Sequence, residues 1–168
     1  MRRGLAVGSF SWLLLSPLAW GQVGASLFQQ GNTRLSVNGG YGSFQSKDYV
    51  ILGLGAGYYL WKGFEAGVDG EAWMGSKPHI YELSPRFTYV FYAFEQIKPY
   101  LGGFYRRTFF DTLGDLDSAG TRAGIVSPIG EHTFVSAGLV FESYFHCDTT
   151  LYDKCSQIYP ELGLGLSF

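Results

Sequence analysis

The sequence predicts an all-β fold, an eight-stranded antiparallel up-and-down barrel that crosses a membrane. Three observations predict it. The 168 residues include 24 Gly, 12 Tyr and 14 Phe, with only 15% charged, and they alternate in twos rather than with a helical period. Eight such alternating segments recur, each about the 9–11 residues that a tilted strand needs to cross a bilayer. The last segment is the most regular. Pro160, Leu162, Leu164, Leu166 and Phe168 form one face, and Glu161, Gly163, Gly165 and Ser167 form the other.

The chain opens with Arg2 and Arg3, an apolar run from Leu5 to Trp20, and small residues at Ala19 and Gly21. That order reads as a secretory signal peptide over residues 1–21, cut after Gly21 or, as a second choice, after Ala25. The alternative is a single-pass helix, against which stand the shortness of the run and Pro17. Loss of residues 1–21 removes two arginines and no acid, so the formal net charge moves from −2 to −4. No basic cluster offsets this, and a nucleic-acid partner is not expected. Residues 22–32, rich in Gly, Gln and Ser, read as a periplasmic lead. Residues 33–168 then suit one domain.

The segments run over 33–44, 49–60, 64–75, 80–93, 98–110, 119–128, 133–145 and 159–168. Trp61 to Gly63, Phe94 to Ile97 and Ile129 to His132 make short connections. Asp111 to Ser118 and His146 to Ile158 are long and polar, while Gln45 to Asp48 and Ser76 to His79 are intermediate. Short turns at one end and longer loops at the other are the pattern of bacterial outer-membrane barrels. The expected location is therefore the outer membrane of a Gram-negative cell, in contact with its lipid and lipopolysaccharide.

Two faces follow from parity. One holds Leu35, Val37, Leu52, Leu54, Val68, Leu83, Phe87, Leu101 and Leu139; the other holds Arg34, Ser36, Asn38, Gly53, Gly55, Glu65, Glu82, Gly124 and Gly138. A soluble ligand-binding barrel would turn the bulky set inward, and a membrane barrel inverts this. An eight-stranded lumen has room only for side chains, so the small and polar set fits inside. Aromatics gather at the strand ends: Tyr58, Trp61, Phe64, Phe91, Phe94 and Phe168 by the short turns, Tyr49, Trp73, Tyr81, Tyr105 and Phe109 by the loops. They read as two interfacial girdles.

The hairpin from Gly53 to Gly67, the strand start Lys98-Pro99-Tyr100-Leu101-Gly102-Gly103 and the terminal Leu162 to Phe168 together carry a resemblance. The chain resembles the eight-stranded outer-membrane barrel superfamily typified by the membrane domain of outer membrane protein A and by outer membrane protein X. The resemblance spans residues 33–168 and implies that Leu164, Leu166 and Phe168 are read by the barrel assembly machinery.

Charges in a narrow lumen must be paired. Asp69, Glu71, Arg86, Arg106, Arg122, Glu142 and Glu161 fall at middle height by residue count, so three arginines among four carboxylates are expected to form a network blocking the lumen. A narrow pore, or a site responsive to lipid or ligand, remains the alternative for the same residues. Cys147 and Cys155 lie in one polar loop of an exported chain, where a disulfide is expected. The bridged tip would serve as a contact surface or as protection against proteolysis.

Catalysis needs a Ser–His pair held by a third group. His79, His132 and His146 lie in turns or at strand ends, and Ser76, Ser143 and Ser156 could approach His79 or His146 without forming a recognisable motif. The carboxylates at Asp111, Asp115 and Asp117 lack a calcium-loop pattern. No cofactor or metal is expected. The expected function is non-enzymatic: a structural or surface-interaction role through the extracellular loops, above a plugged lumen. A narrow pore for small solutes or ions comes second, and a lipid A-modifying enzyme third.

Overall fold

The computed structural model describes residues 27–168 apart from 45–46, 76, 78, 93, 95, 112–113 and 146–154. The signal peptide and its cut sites therefore lie outside the described residues. Eight strands follow one another: β1 (Thr33–Phe44), β2 (Lys47–Trp61), β3 (Phe64–Met74), β4 (Ile80–Val90), β5 (Lys98–Phe110), β6 (Leu116–Pro128), β7 (Thr133–Tyr144) and β8 (Ser156–Ser167). Each pairs antiparallel with the next, and β1 closes onto β8 from Arg34↔Ser167 to Gly40↔Glu161. Closure leaves no free sheet edge along the paired span, which is the condition for strands to sit in lipid.

Several strands outrun the alternating segments read from the sequence. β2 begins at Lys47 rather than residue 49, β6 at Leu116 rather than 119, and β8 at Ser156 rather than 159. β4 instead stops at Val90, short of residue 93. Apolar alternation marks the stretch that meets lipid, whereas the backbone ladder continues wherever two neighbouring strands stay within hydrogen-bonding distance. Arg107↔Asp117 is such a pair, still in register beyond the apolar belt.

Parity sorts the side chains as expected. Leu35, Val37, Leu52, Leu54, Leu83, Phe87, Leu101, Ile125, Leu139 and Phe141 are exposed on the outside, while charged groups fill the inside. An apolar exterior around a polar interior is stable only with lipid outside, so this is a transmembrane barrel. A register shift between Tyr59 and Trp61 lets Tyr59 point inward while Leu60 and Trp61 both face out.

The girdle beside the loops needs a correction. Tyr81, Tyr105 and Phe109 are exposed, but Tyr49 and Trp73 are buried at 1% and 3% exposure. Both have inward parity, and their position near a strand end says nothing about the face they occupy. They cap the lumen from within, packed with Ile51, Ile80 and Tyr159.

Large interior rings fit because glycines on neighbouring strands make room. A Cβ on Gly120 would meet the Phe104 ring, one on Gly124 or Gly138 the Tyr100 ring, and one on Gly165 the Phe134 ring. These four inward glycines thus work as sockets for aromatics, a use that alternation alone does not reveal.

Candidate functional site: the lumen

From the short-turn end to the loop end the lumen has four layers. The first is apolar: Leu27, Phe28, Tyr59, Val90, Tyr100, Val126 and Phe134. Above it runs a chain of ion pairs that alternates in sign. Arg34 Nη1 meets Glu65 Oε2 at 2.9 Å, and Arg86 Nη1 meets Glu65 Oε1 at 2.8 Å. Arg86 Nε then reaches Asp69 Oδ1 at 2.8 Å, and Arg122 Nη1 reaches Asp69 Oδ2 at 3.0 Å and Glu161 Oε1 at 3.4 Å. Arg34, Arg86 and Arg122 therefore balance Glu65, Asp69 and Glu161 one for one.

The third layer centres on Arg106, which is fully buried. Its guanidinium meets Glu71 at 3.0 Å, Glu82 at 3.1 Å and Glu142 at 3.0 Å. It also donates from Nε to Ser84 Oγ at 2.8 Å and from Nη1 to the Tyr159 hydroxyl at 2.6 Å. Ser118 donates to Glu142 at 2.5 Å and Thr108 to Glu82 at 3.2 Å. One cation here holds three carboxylates. Phe104 separates the two charged layers, with the Arg106 and Arg122 guanidinium carbons 4.7 and 5.2 Å from its ring centre. The aromatic cap of Tyr49, Trp73 and Phe110 closes the top.

All seven residues singled out for the lumen lie inside it and take part in these contacts. Arg34, Glu65 and Glu82 belong to the same layers, although counting along strands left them out of the middle. Strands tilt by about 35–45° in such barrels, so equal counts from the strand end are not equal heights. Inward parity was the signal that could have found all three.

Leu164 and Leu166 lie on the outer face of β8, and Phe168, just past its end, is exposed on the same side. The Phe168 and Thr33 backbones exchange hydrogen bonds of 3.0 and 2.7 Å across the seam. His79 is exposed just before β4, whereas His132 lies at the other end of the barrel with its Nδ1 3.1 Å from the Ser167 carbonyl. Ser143 and Ser156 face each other across β7 and β8. Ser76, His146 and Cys147 lie outside the described residues, so the Cys147–Cys155 bridge remains an expectation. Asp115 is held by Arg107 at 2.8 Å, and Asp117 lies 3.9 Å from the same guanidinium. Among the described residues, no group of three or more His, Cys, Asp or Glu is placed to hold a metal ion.

A charge-filled interior inside an apolar wall defines a class, the closed eight-stranded transmembrane barrel, and solved structures share this fold. The N-terminal barrel domain of Pseudomonas aeruginosa OprF superposes with a TM-score of 0.66 at 17% identity, covering 83% of this chain and 98% of that one. Neisserial surface protein A gives 0.59 at 18% identity, covering 81% and 94%. A barrel from work on the de novo design of transmembrane β-barrels gives 0.57 at 12% identity, covering 83% and 98%. No protein-family model and no curated protein matches the chain by sequence. The likeness is one of fold, and fold leaves function open.

Proposed function

We propose that this chain is a non-enzymatic outer-membrane barrel, exported with its signal peptide removed, whose lumen is closed and whose role is structural or one of contact at the cell surface. The observation that carries the closed lumen is the unbroken run Arg34–Glu65–Arg86–Asp69–Arg122–Glu161, every member of it buried. A conducting path would have to part several desolvated ion pairs at once. Contact at the surface would fall to the strand ends and the loop carrying Cys147 and Cys155. The same fold occurs in a protein named for its surface location and in Ail, named as an attachment invasion locus protein of Yersinia pestis. Lipopolysaccharide around the wall, and an assembly machinery that reads Leu164, Leu166 and Phe168, complete the proposed setting.

Planar-bilayer recording of the purified protein tests the reading. A closed lumen gives no discrete openings, and regular unitary conductance would replace it with the narrow pore. Mass spectrometry of lipid A from cells with and without the protein separates both from a lipid-modifying enzyme, whose signature is a mass change that depends on the chain.

A further inference from the structure

The periplasmic mouth of the lumen is built to receive something apolar. Tyr59, Val90, Tyr100, Val126 and Phe134, from five different strands, turn inward there and would otherwise meet water. The chain supplies the cover itself. Leu27 and Phe28 are each 1% exposed in this ring, with Phe28 5.9 Å from the Tyr59 ring and 5.5 Å from the Phe134 ring.

The segment is also tied by its backbone. The Phe28 carbonyl accepts from Gly63 N–H and from the Tyr92 hydroxyl, both at 2.8 Å, and the Leu27 carbonyl accepts from Ser167 Oγ at 2.5 Å. A turn closed by Asn32 N–H onto the Gln29 carbonyl at 3.2 Å reverses the chain into β1. Gly31 takes a φ of 95° in that turn, where a side chain would be strained. The barrel's ladder closes through β1 and β8, and Gly31 and Asn32 only extend its β1–β2 side through backbone bonds to Tyr59, so Leu27 and Phe28 are an addition to the wall and not part of it.

Above Phe28 lies a cavity of about 20 Å³, lined by Arg34, Thr88, Arg122, Ser136 and Glu161 among others. Buried nitrogens of its two arginines, Arg34 Nε and Arg122 Nε and Nη2, have no hydrogen-bond partner among the described atoms. A space of roughly 10–15 Å³ holds one water if polar groups receive it. We propose that Leu27–Asn32 is a cork that seals the periplasmic mouth over a hydrated chamber, keeping the lower ion-pair chain out of contact with the periplasm. This inference rests on the fold and does not depend on what the surface loops bind.

A single engineered thiol tests it. With Cys147→Ser and Cys155→Ser as background, Ser136→Cys places a thiol on the chamber wall, and Val140→Cys places one among the buried side chains around Phe104 and Tyr159, nearer the loop end. The refolded full chain is treated with a charged, membrane-impermeant thiosulfonate, with and without Leu27→Ser plus Phe28→Ser. Cutting back the cork should speed labelling at residue 136 by about tenfold or more, because local opening sets the access of a buried group, and should leave residue 140 unlabelled. Equal rates at residue 136 with and without the cork would overturn the proposal, as would equal gains at both positions, which signal general loosening. If the double variant does not refold, Phe28→Ala removes the ring, keeps the backbone ties and makes the same comparison.

Discussion

Arg86 and Arg106 are both fully buried, yet their removal should have different consequences. In Arg86→Met, Glu65 keeps Arg34 at 2.9 Å and Asp69 keeps Arg122 at 3.0 Å, so neither carboxylate is abandoned. In Arg106→Met, Glu71, Glu82 and Glu142 lose the one guanidinium that all three contact. Breaking a buried pair costs about 3–5 kcal/mol, chiefly because it leaves an uncompensated charge. Arg86→Met should lie at or below the lower figure, and Arg106→Met at or above the upper. Reversible urea unfolding in lipid vesicles measures both, with the buried Trp73 indole, 5.8 Å from the Tyr49 ring, reporting through its fluorescence. Adding Glu71→Gln, Glu82→Gln and Glu142→Gln to Arg106→Met should recover most of the loss, since the deficit is one of charge. Equal losses for the two single variants, or a larger loss at Arg86, would refute the division of the lumen into a balanced chain and a cluster that depends on one cation.

Further outcomes follow from the same geometry. Tyr159→Phe deletes the hydroxyl 2.6 Å from Arg106 Nη1 and should cost about 1.5–3 kcal/mol in the same assay, the range for a hydrogen bond to a charged group. Gly165→Ala drives a methyl into the Phe134 ring and should cost about 1–3 kcal/mol by overpacking; unchanged stability would remove the socket reading. Phe168→Asp should lower the amount of folded protein in the outer membrane, read by heat-modifiable gel mobility, while leaving the unfolding midpoint of correctly folded molecules close to wild type. The unreduced mature protein should take no maleimide and the reduced protein two equivalents, one for each of Cys147 and Cys155.

The sequence made the wall legible because the rule that governs it is local. Parity assigns a face residue by residue, and in lipid one face must be apolar, so Leu52, Leu54 and Leu83 could be placed without knowing their neighbours. Height in the lumen is not local. It depends on how tilted strands are staggered around the barrel, so Arg34, Glu65 and Glu82 could be assigned to the interior but not to their layers. The cork was less legible again. Leu27 and Phe28 are two apolar residues in a Gln- and Gly-rich stretch, too short for any period. Their destination is written elsewhere, in the inward apolar residues Tyr59, Tyr100, Val126 and Phe134, which only make sense once something covers them. Tyr49 and Trp73 failed in the opposite direction: aromatic type and end position pointed to the lipid interface, and parity, the stronger constraint, put them inside.

The charged lumen has a cause that lies outside the folded state. Replacing buried ion pairs with well-packed apolar groups is often neutral or stabilising, so stability alone does not account for six buried carboxylates and four buried arginines in the two charged layers. A wall strand with both faces apolar, however, would read as one continuous apolar run. A run of about 20 such residues is long enough to span a bilayer as a helix and would be at risk of stopping in the first membrane it meets. Two strands joined across a short turn, as β2 and β3 are across Lys62 and Gly63, would reach that length, and polar inward residues break the run before any barrel exists. Closure then forces those residues into a space too narrow for bulk water, and pairing is the remaining way to satisfy them. On this reasoning the charged interior follows from the route a membrane strand must travel, and the proposed closure of the lumen follows from the pairing of those charges.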